Sequence, residues 1–231
     1  MRTYNPDGRP SFARAREAIQ YSKAIDEWSR TMISQNNGGY ANTWLLGDWK
    51  TSEIAMLELG TYHHRLSRTK NGAFAGCNIA LDDSVRVETK FNYCDKRTSP
   101  YARLTRWGQL LGAHRRLGIE EAKLMMSDHY DVTTRSTKPS GRTICGHAET
   151  DPRGIPEWEW PPFYPGGAFD AKITSTDLAK NGGFWAHWGR PCGVPFRAAP
   201  YLKKHRMHSW QANILEDLEP YPWMLMGGFW K

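Results

Sequence analysis

The chain has 231 residues, a formal net charge of +7 and a pI near 9.3, with 39% hydrophobic residues and 11 tryptophans. That is ordinary for one sizeable folded domain, and it argues against disordered or fibrous classes. No apolar run reaches the roughly 20 residues of a membrane span. The basic residues are scattered, apart from Arg115-Arg116 and Lys203-Lys204-His205-Arg206, so neither a transmembrane segment nor a nucleic-acid partner is expected.

The opening MRTYNPDGRPSFARAREA is polar and carries no signal peptide; the compartment stays open. After the turn-rich residues 1–10, Ser11 is positioned to cap a helix over 12–33. Ala18, Tyr21, Ile25, Trp28 and Met32 step by three and four along it. The cluster Asn36-Asn37-Gly38-Gly39 ends that helix. TWLLGDW and EIAMLEL then predict a hairpin turning at Lys50-Thr51-Ser52. TYHHRLSR and AFAGCN predict a second hairpin around Asn71-Gly72. SVRVETK, residues 84–90, alternates like a half-buried strand.

Ser99-Pro100 predicts the cap and first turn of another helix, with Leu104, Trp107, Leu111 and His114 on one face and Gly118 as its breaker. A short helix, IEEAKLMMSDHY, follows. Residues 136–168 are proline-rich and loop-like. AFDAKITST and GFWAHWG read as two strands, and the tail has one helical piece near 209–217. The whole reads as a single α+β domain over 1–231, with helices segregated to a face of the sheet.

Four widely spaced cysteines, Cys77, Cys94, Cys145 and Cys192, form no CxxC pair. Cys145 and His147 make a CxH with His129 upstream. Separate roles are expected for them, with no metal and no other cofactor. No GxSxG, P-loop, GxGxxG or HExxH is present. What remains are polar groups at the ends of elements. Asn42 stands at the mouth of a strand beside Tyr40 and Trp44, where its amide could donate to an oxyanion or simply shape a turn. Arg103 and Arg106 share a helix face. Asp170 and Lys172 point the same way along a strand, whereas His63 and His64 point oppositely.

YANTWLLGDWKTSEIAMLELG, the GCN at 76–78, SPYARLTRW and GGAFDAKITSTDLAK with FWAHWGRPCG together resemble the bacterial phospholipase B-like proteins. These belong with the isopenicillin-N acyltransferase-like N-terminal nucleophile (Ntn) hydrolases. The resemblance runs over residues 4–223. It implies an αββα sandwich and an acyl hydrolase or acyltransferase acting on an amide or ester, phospholipid or amide. The nucleophile would be freed by autoproteolysis, and its own α-amine would serve as base. By motif position Asn42 would complete the oxyanion hole and Arg103 would lie near the nucleophile. Tyr40 and Trp44 would shape the substrate pocket. The family's nucleophile lies upstream of the segment resembling residues 4–10. The chain is therefore expected to be the C-terminal portion of such an enzyme, an incomplete sandwich whose partner is the upstream segment. The alternative is a non-catalytic lipid- or glycan-binding module with a groove lined by Trp158, Trp160, Trp185 and Trp188.

Overall fold

In the computed structural model, which describes residues 3–227, the amphipathic stretch after Pro10 forms two helices rather than one. They are α1 (Ser11–Tyr21) and α2 (Ile25–Ile33). Ser11 is the first helical residue and Pro10 takes the cap position. Ser22 turns extended, and the Glu27 carboxylate accepts the Lys23 N–H at 2.8 Å, which starts the second helix. The break allows α1 and α2 to pack on each other. Arg14, 1% exposed, joins them. Its guanidinium donates to the carbonyls of Arg9 and Met32 and to Asn36 Oδ1, satisfying acceptors where α2 ends.

The predicted first hairpin forms as β1 (Thr43–Asp48) and β2 (Glu53–Leu59), with Trp44 opposite Leu57. The second does not. β3 (His64–Thr69) pairs back onto β2, with Leu59 opposite His64, and AFAGCN stays outside the sheet. The reason lies in Gly60-Thr61-Tyr62-His63. The buried Glu88 carboxylate accepts the N–H groups of Thr61, Tyr62 and His63, so this segment becomes the tight connection. Glu88 itself lies just past α3 (Asp83–Arg86), which replaces the predicted strand over 84–90. Asp82 accepts the Ser84 and Val85 N–H groups, so local capping defeats a two-residue alternation.

Helices α1 and α2 cover one face of this sheet. Ala18, Met32, Leu57 and Leu59 form the buried centre, flanked by Trp28, Trp44 and Leu66. This first unit runs to Asp95, and a second compact unit begins at Lys96. Glu88→Gln is expected to destabilise the first unit by about 1–3 kcal/mol, because an amide cannot accept the three backbone bonds with a full charge. Denaturant unfolding measures it; an unchanged midpoint would mean that the Gly60–His63 turn does not need Glu88.

The second unit opens on α4 (Ser99–Ala113), where Thr98 rather than the expected Ser99 takes the cap position, without a side-chain capping bond, and Ser99 and Pro100 are the first helical residues. Gly118 then acts as the start of α5 (Ile119–Met126) rather than only as a breaker; Glu121 accepts its N–H at 3.0 Å. Residues 127–170 are irregular, a longer stretch than the expected 136–168, with only two 3₁₀ turns. β4 (Ala171–Ile173) and β5 (Phe184–His187) pair antiparallel, joined through α6 (Thr176–Lys180). An unforeseen third strand, β6 (Met224–Met226), pairs with β5. The helical tail lies earlier than read: α7 (Ala198–Lys204) and a 3₁₀ turn, Arg206–Gln211. The α+β class holds, with one three-stranded antiparallel sheet in each unit among the described residues. None of the described helices is long and apolar enough to cross a membrane.

Candidate functional site

The asparagine-glycine lead-in to β1 is a built loop. Asn36, 8% exposed, accepts the Gly38 N–H and donates to the carbonyls of Gly60 and Thr61. Asn37 accepts the Gly39 N–H at 2.9 Å. Gly38 has φ +78°, and a Cβ there would clash with Thr61 Oγ1, so only glycine fits. These contacts anchor the backbone that delivers Asn42.

Asn42 is held twice. Its carbonyl accepts the Leu59 N–H at 3.1 Å, and its side-chain oxygen accepts the Thr43 N–H at 2.8 Å. With the oxygen committed, the two N–H bonds of Nδ2 have no protein acceptor among the described residues. Asn42 lines a cavity of about 300 Å³ together with Tyr40, Thr43, Glu58, Asn78 and Tyr93. Tyr40 stands at φ 54° and is largely exposed. Glu58 is already committed, accepting the N–H groups of Leu81 and Asp82. Trp44 takes the opposite face of the strand from Thr43. It packs against Trp28 at 5.6 Å between centroids, on the helix-covered core, and lies edge-on to the cavity-lining Tyr40 at 6.3 Å without lining the cavity itself.

Arg103 belongs to the second unit. Its Nε donates to Ser99 Oγ at 3.2 Å, and its guanidinium lies 5.5 Å from the Trp158 ring centre. Ser99 Oγ in turn donates to the Gly141 carbonyl at 2.6 Å. Arg106 instead grips both carboxylate oxygens of Asp128, at 2.9 and 2.7 Å. Asp170 spends its carboxylate on the Gly189 N–H, and no ion pair joins it to Lys172. His63 Nδ1 sits 2.7 Å from Glu88, and His64 faces solvent. The four tryptophans of the binding-module reading fall into different settings. Trp188 lines a cavity of about 510 Å³, Trp158 packs edge-on against Trp160, and Trp185 lies beneath the Lys123 ammonium.

Cys145, His147 and His129, expected to play separate roles, lie close to one another in the fold. The fold brings all three together with Cys192, a residue that spacing along the chain could not connect to them. The only sequence signal was the Cys145-x-His147 pair itself. Burial, and then the neighbouring Cys192, pushes the Cys145 thiol up to about 12. Burial, reinforced by His147, holds His129 below the usual imidazole value.

A scan against protein-family models found no match, and a search of curated proteins found none either.

Proposed function

We propose that this chain is the oxyanion-bearing part of an acyl hydrolase or acyltransferase of the Ntn type, cleaving an amide or ester. The observation that carries the proposal is the state of Asn42. Its oxygen is pinned by a neighbouring backbone N–H, which leaves the amide nitrogen as a pre-oriented donor at a cavity wall. A donor fixed before substrate arrives is what stabilisation of a tetrahedral oxyanion requires, since no reorganisation is needed as charge develops. The resemblance of the residues around Asn42 and Arg103 to phospholipase B-like proteins supports the same reading, and the finer αββα sandwich belongs to it.

The cavity wall supplies the donor and two threonines, Thr43 and Thr89, but both lie within the chain and have no free α-amine to act as base. The attacking group therefore comes from a segment other than those lining the cavity, with its α-amine as base. Arg103, held by Ser99 and Trp158, has the fixed geometry suited to a carboxylate or to the nucleophile's surroundings.

The experiment is isolation of the native enzyme, identification of its mature N-terminal residue, and assay against N-acyl amino acids and phospholipids. A chain opening at Cys, Ser or Thr and a covalent acyl-enzyme mass on that residue are expected. Hydrolysis without any acyl-enzyme, or a chain with no processed N-terminus and no turnover, would overturn the proposal.

A further inference from the structure

The second unit contains a group of side chains that the acyl-transfer chemistry does not use. His129 follows α5, Cys145 and His147 sit in the irregular loop before β4, and Cys192 lies in the turn after β5. One nitrogen or sulfur from each lies within 4.8 Å of all the others. We propose that these four residues bind one Zn²⁺ ion, in a closed tetrahedral Cys₂His₂ site that organises the second unit.

The distances fit a single ion. A tetrahedral Zn²⁺ with bonds of about 2.3 Å to sulfur and about 2.0–2.1 Å to nitrogen sets ligand–ligand edges of roughly 3.3–3.8 Å. His147 Nε2 stands 3.4 Å from Cys145 Sγ and 3.5 Å from Cys192 Sγ, close to such an edge already. His129 Nε2 is buried and has no hydrogen-bond partner. A buried imidazole nitrogen left without a partner carries a cost that a metal bond removes. Two thiolates and two neutral imidazoles balance the charge of the ion, and the thiol protons leave to solvent on binding.

The surroundings are those of a metal-bound histidine. His147 turns its other nitrogen, Nδ1, to Glu149 Oε1 at 2.9 Å, and the same oxygen takes the Arg190 guanidinium at 2.9 Å. A carboxylate on the far side of a ligating imidazole fixes its tautomer and orientation. Arg190 absorbs the charge of that carboxylate, and it lies two residues from Cys192. Arg106 clamps Asp128, whose carbonyl accepts the Cys145 N–H at 3.0 Å, so the backbone beside His129 is joined to that of Cys145.

The second unit also needs a cross-link. Five of its buried apolar side chains are alanines, Ala102, Ala148, Ala171, Ala186 and Ala198, which bury little area each. More than forty residues, 127–170, run without a regular helix or strand apart from two short 3₁₀ turns. An irregular segment of that length holds one conformation only when something ties it down. With all four positions supplied by the protein, the ion holds structure and leaves no open place for water or substrate.

The test uses the full chain, purified under reducing conditions without chelator. Elemental analysis is expected to give one zinc per chain. Metal-free protein titrated with Co²⁺ is expected to develop the visible bands of a tetrahedral ion and a thiolate-to-cobalt charge-transfer band. Cys94→Ser, outside the cluster, leaves both unchanged. Cys192→Ser removes charge-transfer intensity and weakens binding by at least about 100-fold, and Glu149→Gln weakens it by about 10–100-fold while keeping the tetrahedral spectrum. Because the cysteine variant risks misfolding, the wild-type spectrum and the Glu149 variant decide the matter independently. Folded wild-type protein that takes up no zinc and gives no tetrahedral Co²⁺ bands would overturn the proposal. So would a native Cys145–Cys192 disulfide, seen as a mass two hydrogens lower and reversed by reductant. Neither result depends on whether acyl transfer is observed.

Discussion

If the chain acts as proposed, replacing Asn42 by alanine in the processed enzyme is expected to lower kcat by about 100- to 1,000-fold, with KM little changed. The argument rests on what the side chain does at rest. Its oxygen already accepts the Thr43 N–H, so the amide is not free to rotate, and its nitrogen has no protein acceptor to give up. On the proposed acyl-transfer reading, the interaction with a substrate carbonyl would be weak and that with the tetrahedral oxyanion strong. Loss therefore falls on the transition state and shows in kcat. Asn42→Asp separates this from a packing role. It keeps the size and the Thr43 bond but sets an acceptor where a donor is needed, and is expected to be at least as damaging. Asn37→Ala should disturb the turn at Gly39 while leaving the chemistry almost intact. Stability of each variant is read alongside by thermal melting. Full turnover in a folded Asn42→Ala enzyme would remove this residue from the mechanism and with it the main structural support for acyl transfer here.

What could be read from the residues divides along a physical line. Elements specified by nearby residues were legible. The β1–β2 hairpin has its turn and both apolar runs within 17 residues, Thr43 to Leu59, and α4 carries a proline in its own first turn. Elements decided by distant groups were not. The partner of β3 is set by Glu88, 19 residues beyond that strand's end at Thr69, and the alternating stretch holding Glu88 lost its strand character to the Asp82 cap. Helix α1 ends at Tyr21 and packs back on α2, with the buried Arg14 reaching across to Met32 and Asn36, a tertiary arrangement that no periodicity reports. The same rule governs the sites. Asn42 could be singled out as a candidate because the amides and glycines around it are neighbours in sequence, although the Leu59 N–H that also holds it is not. Trp44 was placed with it by proximity in sequence, yet its ring packs on Trp28 in the helix-covered core and meets the cavity wall only through the edge of Tyr40. Cys192 lies 45 residues from the His147 nitrogen that it approaches, so only the fold could join them.

Asp131→Ala is expected to destabilise the second unit by about 3–5 kcal/mol, the range for removing one member of a buried ion pair. Asp131 is fully buried. Its carboxylate accepts from Arg142 Nε at 2.8 Å, Ser140 Oγ at 2.9 Å and the N–H groups of Thr133 and Thr134 at 2.8 and 3.2 Å. Removing it strands a buried guanidinium and leaves several donors unsatisfied. Replacing both partners, Asp131→Leu with Arg142→Met, should recover much of the loss, because no charge is then left buried. Burial alone would raise the Asp131 pKa, but the Arg142 guanidinium, the Thr133 N–H and the Ser140 hydroxyl outweigh it and hold the group below the usual carboxylate range. The sign follows. A folded-state value below the unfolded value of about 3.9 gives stabilisation that is complete well above that pH and is lost as pH falls through the folded value. The gap between wild type and Asp131→Asn is therefore expected to stay constant from about pH 6 to 8 and to close on acidification below about pH 4. Denaturant titrations across that range measure it. A gap that widened in acid would mean that Asp131 is protonated in the folded protein and that the Arg142 contact is not an ion pair.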